Sequence, residues 1–247
     1  MDAEKLKVAA DDLNSPTAEL ESTEAVATAL PAPGLALRRN PLWRILQLLF
    51  FLSCCVWMRL RVSGRENVDD SRGGLLLVNH QSFLDPMLVA VLLSRPISYL
   101  ARDSLFKLPV VGWILRNTHV IPISRESARG GSIRIAIERL NEGFLVGIFP
   151  EGTRSADGTV GRFRPGFLAL ARRTSQPIYP VGIAGATRAM PRGAWFVRPC
   201  RIRVVYGTPF SADEVSQFHS SGDEAALCEL VRARVAECAS KAAALLT

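Results

Sequence analysis

From Gly64 onward, short and almost uninterrupted apolar runs alternate with segments whose apolar residues recur every three or four positions. The apolar runs at residues 74–79, 97–102, 118–123, 145–149, 178–183 and 201–206 read as strands, and residues 86–93, 127–141, 166–174 and 212–246 read as helices. A strand that is apolar on both faces needs cover on both faces. The pattern therefore predicts an α/β fold, with a mostly parallel central sheet flanked by helices. In such sheets ligands gather beyond the carboxyl ends of the strands.

Two polar blocks fall at those ends. Asn79-His80-Gln81-Ser82-Phe83-Leu84-Asp85 follows the first run, and Phe149-Pro150-Glu151-Gly152-Thr153-Arg154-Ser155 closes the fourth. A histidine titrates near neutrality and can take a proton from a hydroxyl, while a carboxylate on its other nitrogen fixes the tautomer and stabilises the imidazolium. On a regular helix positions i and i+5 point about 140° apart. His80 and Asp85 can therefore meet only if His80 lies in the turn before a helix and Asp85 in its first turn. Pro86, acceptable near a helix start, permits this. In the second block an arginine can fork onto a phosphate, and Gly152 lets backbone amides approach an anion closely. Ser82 is a poor nucleophile candidate, because no G-x-S-x-G elbow surrounds it. Neither a Walker A loop nor a G-x-G-x-x-G occurs, so the sequence offers no support for nucleotide-driven phosphoryl transfer or for redox chemistry.

Together, and in this order, the blocks resemble the glycerolipid acyltransferase family, which includes the 1-acyl-sn-glycerol-3-phosphate acyltransferases. The resemblance runs from about Gly64 to about Phe210. It implies that His80 and Asp85 are catalytic, and that the lipid hydroxyl attacks the thioester of acyl-CoA or acyl-carrier protein directly, giving phosphatidic acid with no metal or bound cofactor. It also implies that Glu151, Gly152, Thr153 and Arg154 bind the acceptor. Arg125, in Ile121-Pro122-Ile123-Ser124-Arg125, and Lys107 match family positions that hold the acceptor phosphate; Arg162 and Arg164 can add to the cluster. Residues 177–183 correspond to a block that lines the acyl or thioester site, or simply form core strand. His119 and His219 read as structural. The same chemistry on another lysolipid, such as a lyso-ornithine lipid, is an alternative, and a non-catalytic basic membrane or nucleic-acid binder is a third. Nucleic acid is disfavoured, because the arginines lack aromatic interleaving.

The organisation around this domain is read from composition. Residues 1–34 carry seven acids against two lysines and end in Pro31-Ala32-Pro33-Gly34. This predicts a disordered acidic tail, unlike a secretory signal. The rest is consequently more basic than the net charge of +7, which suits an anionic partner. Residues 35–63 are expected to form a membrane-embedded helical segment, and 64–247 the catalytic domain. The apolar stretch at 45–58 makes a helix of roughly 21 Å against a bilayer core of about 30 Å. A helix lying in one leaflet therefore fits better than a span, which needs the flanks Leu42, Trp43 and Leu60. The expected location is a membrane, on its cytoplasmic face, the inner membrane in a bacterium. The five cysteines form no C-x-x-C pair, which argues against a disulfide framework or a zinc site.

Overall fold

The computed structural model describes residues 56–123, 131–191, 193–194 and 196–246, with positions 45, 48, 49, 51 and 52 before them. The acidic tail at 1–34 and Arg125 lie outside the described residues. Among the described residues seven strands form one sheet: β1 (Arg61–Ser63), β2 (Gly74–Val78), β3 (Ile97–Arg102), β4 (Ile121–Ile123), β5 (Leu145–Ile148), β6 (Ile178–Ala184) and β7 (Arg203–Tyr206). The helices are α1 (Asp85–Ala90), α2 (Asp103–Phe106), α3 (Pro109–Asn117), α4 (Gly131–Asn141), α5 (Leu168–Ala171), α6 (Ala186–Ala189), α7 (Ala212–Ser220) and α8 (Glu224–Ala244). The strand order is β1-β7-β6-β2-β5-β3-β4, and every neighbouring pair is parallel except β6 with β7.

The central strands are apolar on both faces, as the runs require. Along β2, Leu76 and Val78 enter one core with Leu88 and Val89 of α1 and with Val181 and Ile183 of β6. Leu75 and Leu77 point the other way, into a second core with Ile135 and Leu140 of α4, Leu168 of α5, Phe218 of α7 and Val231 and Val235 of α8. The period of two thus divides one strand between two layers of cover. Against β6 the layer of α8 comes very close. A Cβ at Gly182 would overlap the backbone of Cys238 and Ala239, so only glycine lets the helix seat there.

The connections position the site. After β2 the chain enters α1 on the first face, whereas after β5 it returns through α5 on the second. Adjacent strands whose continuations diverge to opposite faces leave a crevice at their carboxyl ends. Both polar blocks open into this crevice.

Several elements differ from expectation. The sheet takes in Arg61–Ser63, three residues ahead of the expected domain start at 64. The run at 118–123 becomes strand only at Ile121, because His119 sits at φ 62°, which breaks extended backbone. Residues 166–174 form a 3₁₀ turn and one turn of α5, while 212–246 divides into two helices, each with its own cap. Ser211 and Glu214 make a capping box on α7, and Asp223 accepts from the Ala226 N–H at 3.0 Å to start α8. Among the described residues no helix is long and apolar enough to cross a membrane. Ile45, Leu48, Leu49, Leu52, Val56 and Trp57 are helical, each with about half or more of its surface exposed.

His119 is buried, stacks at a tilt on Phe144 and has no hydrogen-bond partner on either ring nitrogen among the described residues. Burial, then the nearby Arg139 charge, pushes its pKa below the ordinary histidine value. A depressed folded-state pKa makes a contribution to stability that is complete above the unfolded value. It is lost as pH falls through about 6.5 towards the folded value, because only the unfolded chain binds the proton readily. Thermal melting should fall on acidification through this window. It should fall less in His119→Asn, a neutral residue that tolerates positive φ; equal slopes in the two proteins would contradict this role.

Candidate active site

The end of β2 is fixed by side chains that replace the sheet ladder. Asn79 is fully buried and bonds Ile183 twice: its amide donates to the carbonyl at 3.0 Å, and its side-chain oxygen accepts from the N–H at 2.7 Å. His80 then leaves the sheet. Its N–H donates to Glu151 Oε1 at 2.9 Å, and its carbonyl accepts from the Ser155 N–H at 2.7 Å. The two blocks are therefore joined across adjacent strand ends by the backbone of the histidine itself.

Asp85 is the first residue of α1, with Pro86 next, so the turn-then-helix geometry that the i+5 spacing demands is present. Its carboxylate is fully buried. Oδ2 accepts from His80 Nδ1 at 2.8 Å, from the Gln81 N–H at 2.6 Å and from the Ser82 N–H at 2.7 Å. Burial pushes the carboxyl upward, while the His80 bond and the two backbone N–H groups oppose it. Three donors on one oxygen match the ionised form. The carboxylate accepts only, so Nδ1 carries the proton and Nε2 presents its lone pair. No hydrogen bond engages Nε2 among the described residues, and the His80 side chain keeps 20% of its surface exposed. The ring lies flat on Phe149, centroids 4.2 Å apart at 25°, and Phe149 is backed in turn by Tyr99. One nitrogen and one face of the imidazole are thus held, and the other nitrogen is left for chemistry.

In the second block Gly152 has φ 70°, a left-handed turn that folds the chain back beside His80. Both carboxylate oxygens of Glu151 are engaged by backbone: Oε1 by His80 N–H, and Oε2 by Gly161 N–H at 3.2 Å. Burial pushes its pKa up, against those two bonds. Gly152 and Thr153 are exposed, and Arg154 is half-buried with no hydrogen bond or ion pair among the described residues. The Arg164 side chain packs over Gly152. Lys107 is exposed in the turn after α2, beyond the carboxyl end of β3. On α8, burial and then the Glu224 charge push the Cys228 thiol's pKa up, against the charges of Arg162 and Arg172. His219 is exposed near the end of α7.

Gln81 contributes more than its sequence suggested. Its amide donates to the Gly158 carbonyl at 2.8 Å and its oxygen accepts from the Ala186 N–H at 3.1 Å, so it links the loops after β2, β5 and β6. A buried polar residue inside a motif was the only available signal, and its partners lie far away in sequence. Ser82 is fully buried, with its hydroxyl donating to the Met190 carbonyl at 3.3 Å and accepting from the Leu84 N–H at 3.3 Å. It has no access to the crevice as a nucleophile.

A family model described as Acyltransferase matches residues 59–184. A 1-acyl-sn-glycerol-3-phosphate acyltransferase of Bacillus subtilis is 26% identical over 183 residues, covering 74% of this chain and 89% of that protein. A chloroplastic enzyme of the same name from Arabidopsis thaliana is 28% identical over 190 residues, covering 75% of this chain and 51% of that one. The chain spans about half the length of the plant relatives it matches. The crystal structure of the 1-acyl-sn-glycerophosphate acyltransferase PlsC from Thermotoga maritima superposes with a TM-score of 0.64 at 31% identity, over 74% of this chain and 71% of that one.

The two bonds to Glu151 set a structural test. In Glu151→Gln the amide nitrogen must face one of the two N–H donors, leaving a buried donor unpaired at a cost of about 1–3 kcal/mol. Amide exchange at His80 or Gly161 should accelerate and the melting temperature should fall. Unchanged exchange at both positions would show that the brace is dispensable.

Proposed function

The chain belongs to the acyltransferase family, and we propose that it acylates the sn-2 hydroxyl of 1-acylglycerol 3-phosphate, giving phosphatidic acid. The observation that carries this reading is the His80–Asp85 pair, with Nδ1 bound at 2.8 Å and Nε2 without a hydrogen-bond partner among the described residues. A hydroxyl placed against Nε2 gives up its proton as its oxygen attacks the thioester carbon. The resulting imidazolium is stabilised by the buried carboxylate 2.8 Å away. When the tetrahedral intermediate collapses, the C–S bond breaks and the imidazolium returns the proton to the departing sulfur. An acyl oxygen ester and a free thiol are formed, from acyl-CoA or acyl-carrier protein as donor.

Arg154 is the candidate phosphate anchor. It is half-buried, unpaired among the described residues, and next in sequence to Ser155, whose N–H binds the His80 carbonyl. Arg164, packed over Gly152, and Lys107, beyond β3, add positive charge at the same end of the sheet. Arg125 remains part of the proposal on family resemblance. Glu151 acts in it by bracing the His80 backbone; Gly152 and Thr153 shape the exposed turn that the acceptor would approach. The acceptor is a lipid, so the exposed apolar helical positions from Ile45 to Trp57 are proposed to rest in one leaflet of a membrane, on the cytoplasmic face.

The test is thiol release by purified protein in detergent, with 1-acylglycerol 3-phosphate offered beside a lysolipid without that phosphate. His80→Ala should lower turnover by roughly 10²–10⁴-fold, the range for a lost general base. Arg154→Ala should instead raise the acceptor KM, by about tenfold or more, as expected for a lost charge-assisted bond. Full turnover in His80→Ala would sink the mechanism, and turnover only with the second lysolipid would sink the acceptor assignment.

A further inference from the structure

Two stretches of the chain contain arginine but no acid. Residues 25–65 hold six arginines and residues 158–212 hold nine, and neither stretch has an Asp or Glu. The fold brings their described parts together. Trp57 Nε1 donates to the Val197 carbonyl at 2.9 Å, the Ile202 N–H to the Met58 carbonyl at 3.1 Å, and the Arg203 guanidinium to the Arg59 carbonyl at 2.8 Å.

The loop between α6 and β7 is tied equally to the first polar block. The Arg198 N–H donates to the Ala189 carbonyl at 2.8 Å, and Met190 accepts the Ser82 hydroxyl. Because β7 runs antiparallel to β6, its first residue, Arg203, pairs with Ala184 at the carboxyl end of β6. Trp57, the loop and the start of α1 therefore make one continuous surface at the end of the sheet where His80 lies.

That surface is both apolar and cationic. Val56 is 80% exposed, Phe196 66% and Phe83 54%, and Met87 on α1 is exposed as well. Arg198 lies over the Phe196 ring, 5.7 Å from its centroid. Arg59, Arg61, Arg188 and Arg198 have no ion-pair partner among the described residues. Aromatic rings beside unpaired arginines suit the headgroup layer of a bilayer, where the ring is buried and the cation meets lipid phosphate. A protein partner would need carboxylates matched to each arginine, whereas a lipid surface needs only negative charge and apolar depth.

We propose that residues 196–200, in the loop between α6 and β7, are a second lipid-contact element, separate from the apolar segment at 45–58. It seats Phe196 and Arg198 in an anionic bilayer surface and holds the carboxyl end of the sheet, with His80, against the membrane. This rests on the reading that the acceptor is a membrane lipid.

The experiment is flotation of the full chain with vesicles of phosphatidylcholine alone or mixed with phosphatidylglycerol. Phe196→Ser should lower partition onto mixed vesicles by about tenfold, as for one large apolar side chain withdrawn from the interface. Arg198→Gln should lower it by about fivefold on mixed vesicles and hardly at all on neutral ones. Phe196→Trp should restore binding, which a folding defect would not allow. Turnover of a short-chain acceptor below its micellar concentration should match the parent in all three variants. Absence of turnover in the parent would defeat the proposed function and leave the vesicle result readable. Unchanged partition of Phe196→Ser would overturn the proposal.

Discussion

One oxygen organises the centre of this molecule. Asp85 Oδ2 accepts the His80 Nδ1 proton and the N–H groups of Gln81 and Ser82. A buried carboxylate is costly unless its charge is met by donors. Here the donors to Oδ2 come from the residues immediately before the helix that Asp85 begins, so meeting that oxygen's demand also fixes the turn, while Oδ1 is buried without a hydrogen-bond partner among the described residues. The same contacts hold the imidazole in one tautomer. Local folding and the orientation of the imidazole are thus one event, and the i+5 spacing that excludes a helical pairing becomes the mark of a carboxylate-centred turn.

The second block acts mainly through its backbone and its ring. Glu151 joins His80 to Gly161, and Phe149 supplies the flat surface on which the imidazole rests. Next to this brace Arg154 is half-buried with no ion pair among the described residues, and Lys107 is exposed beyond β3. The topology explains why everything converges. Continuations from β2 and β5 leave on opposite faces, and reversal of β7 carries further arginines to the same edge. An edge that is apolar and cationic beside His80 suits the proposed reaction, in which the acceptor stays in a lipid surface.

The sequence made the parallel sheet legible, because β2 and β6 are apolar at nearly every position and both faces are covered. It also located His80 and Asp85, since only a turn-then-helix path joins them. It obscured β1, three residues long, and the positive φ of His119, which no neighbouring residue announces. The division of the last helix was hidden because Ser221, Gly222 and Asp223 sit inside a continuing apolar period. Glu151 reads in sequence as a side chain for ligand, whereas both its oxygens are occupied by N–H groups, one of them 71 positions away. Gln81 shares that difficulty: its bonds to Gly158 and Ala186 depend on tertiary closure.

The central claim is that His80 is held with its proton on Nδ1 and its lone pair on Nε2. The chain has only three histidines, so nitrogen-15 correlation spectra of histidine-labelled protein, assigned with His80→Ala, read this directly. The account predicts a neutral Nδ1–H tautomer for His80 at pH values where the ring is uncharged. A neutral ring protonated on Nε2 would contradict it, because the nitrogen assigned to take the hydroxyl proton would already be carrying one.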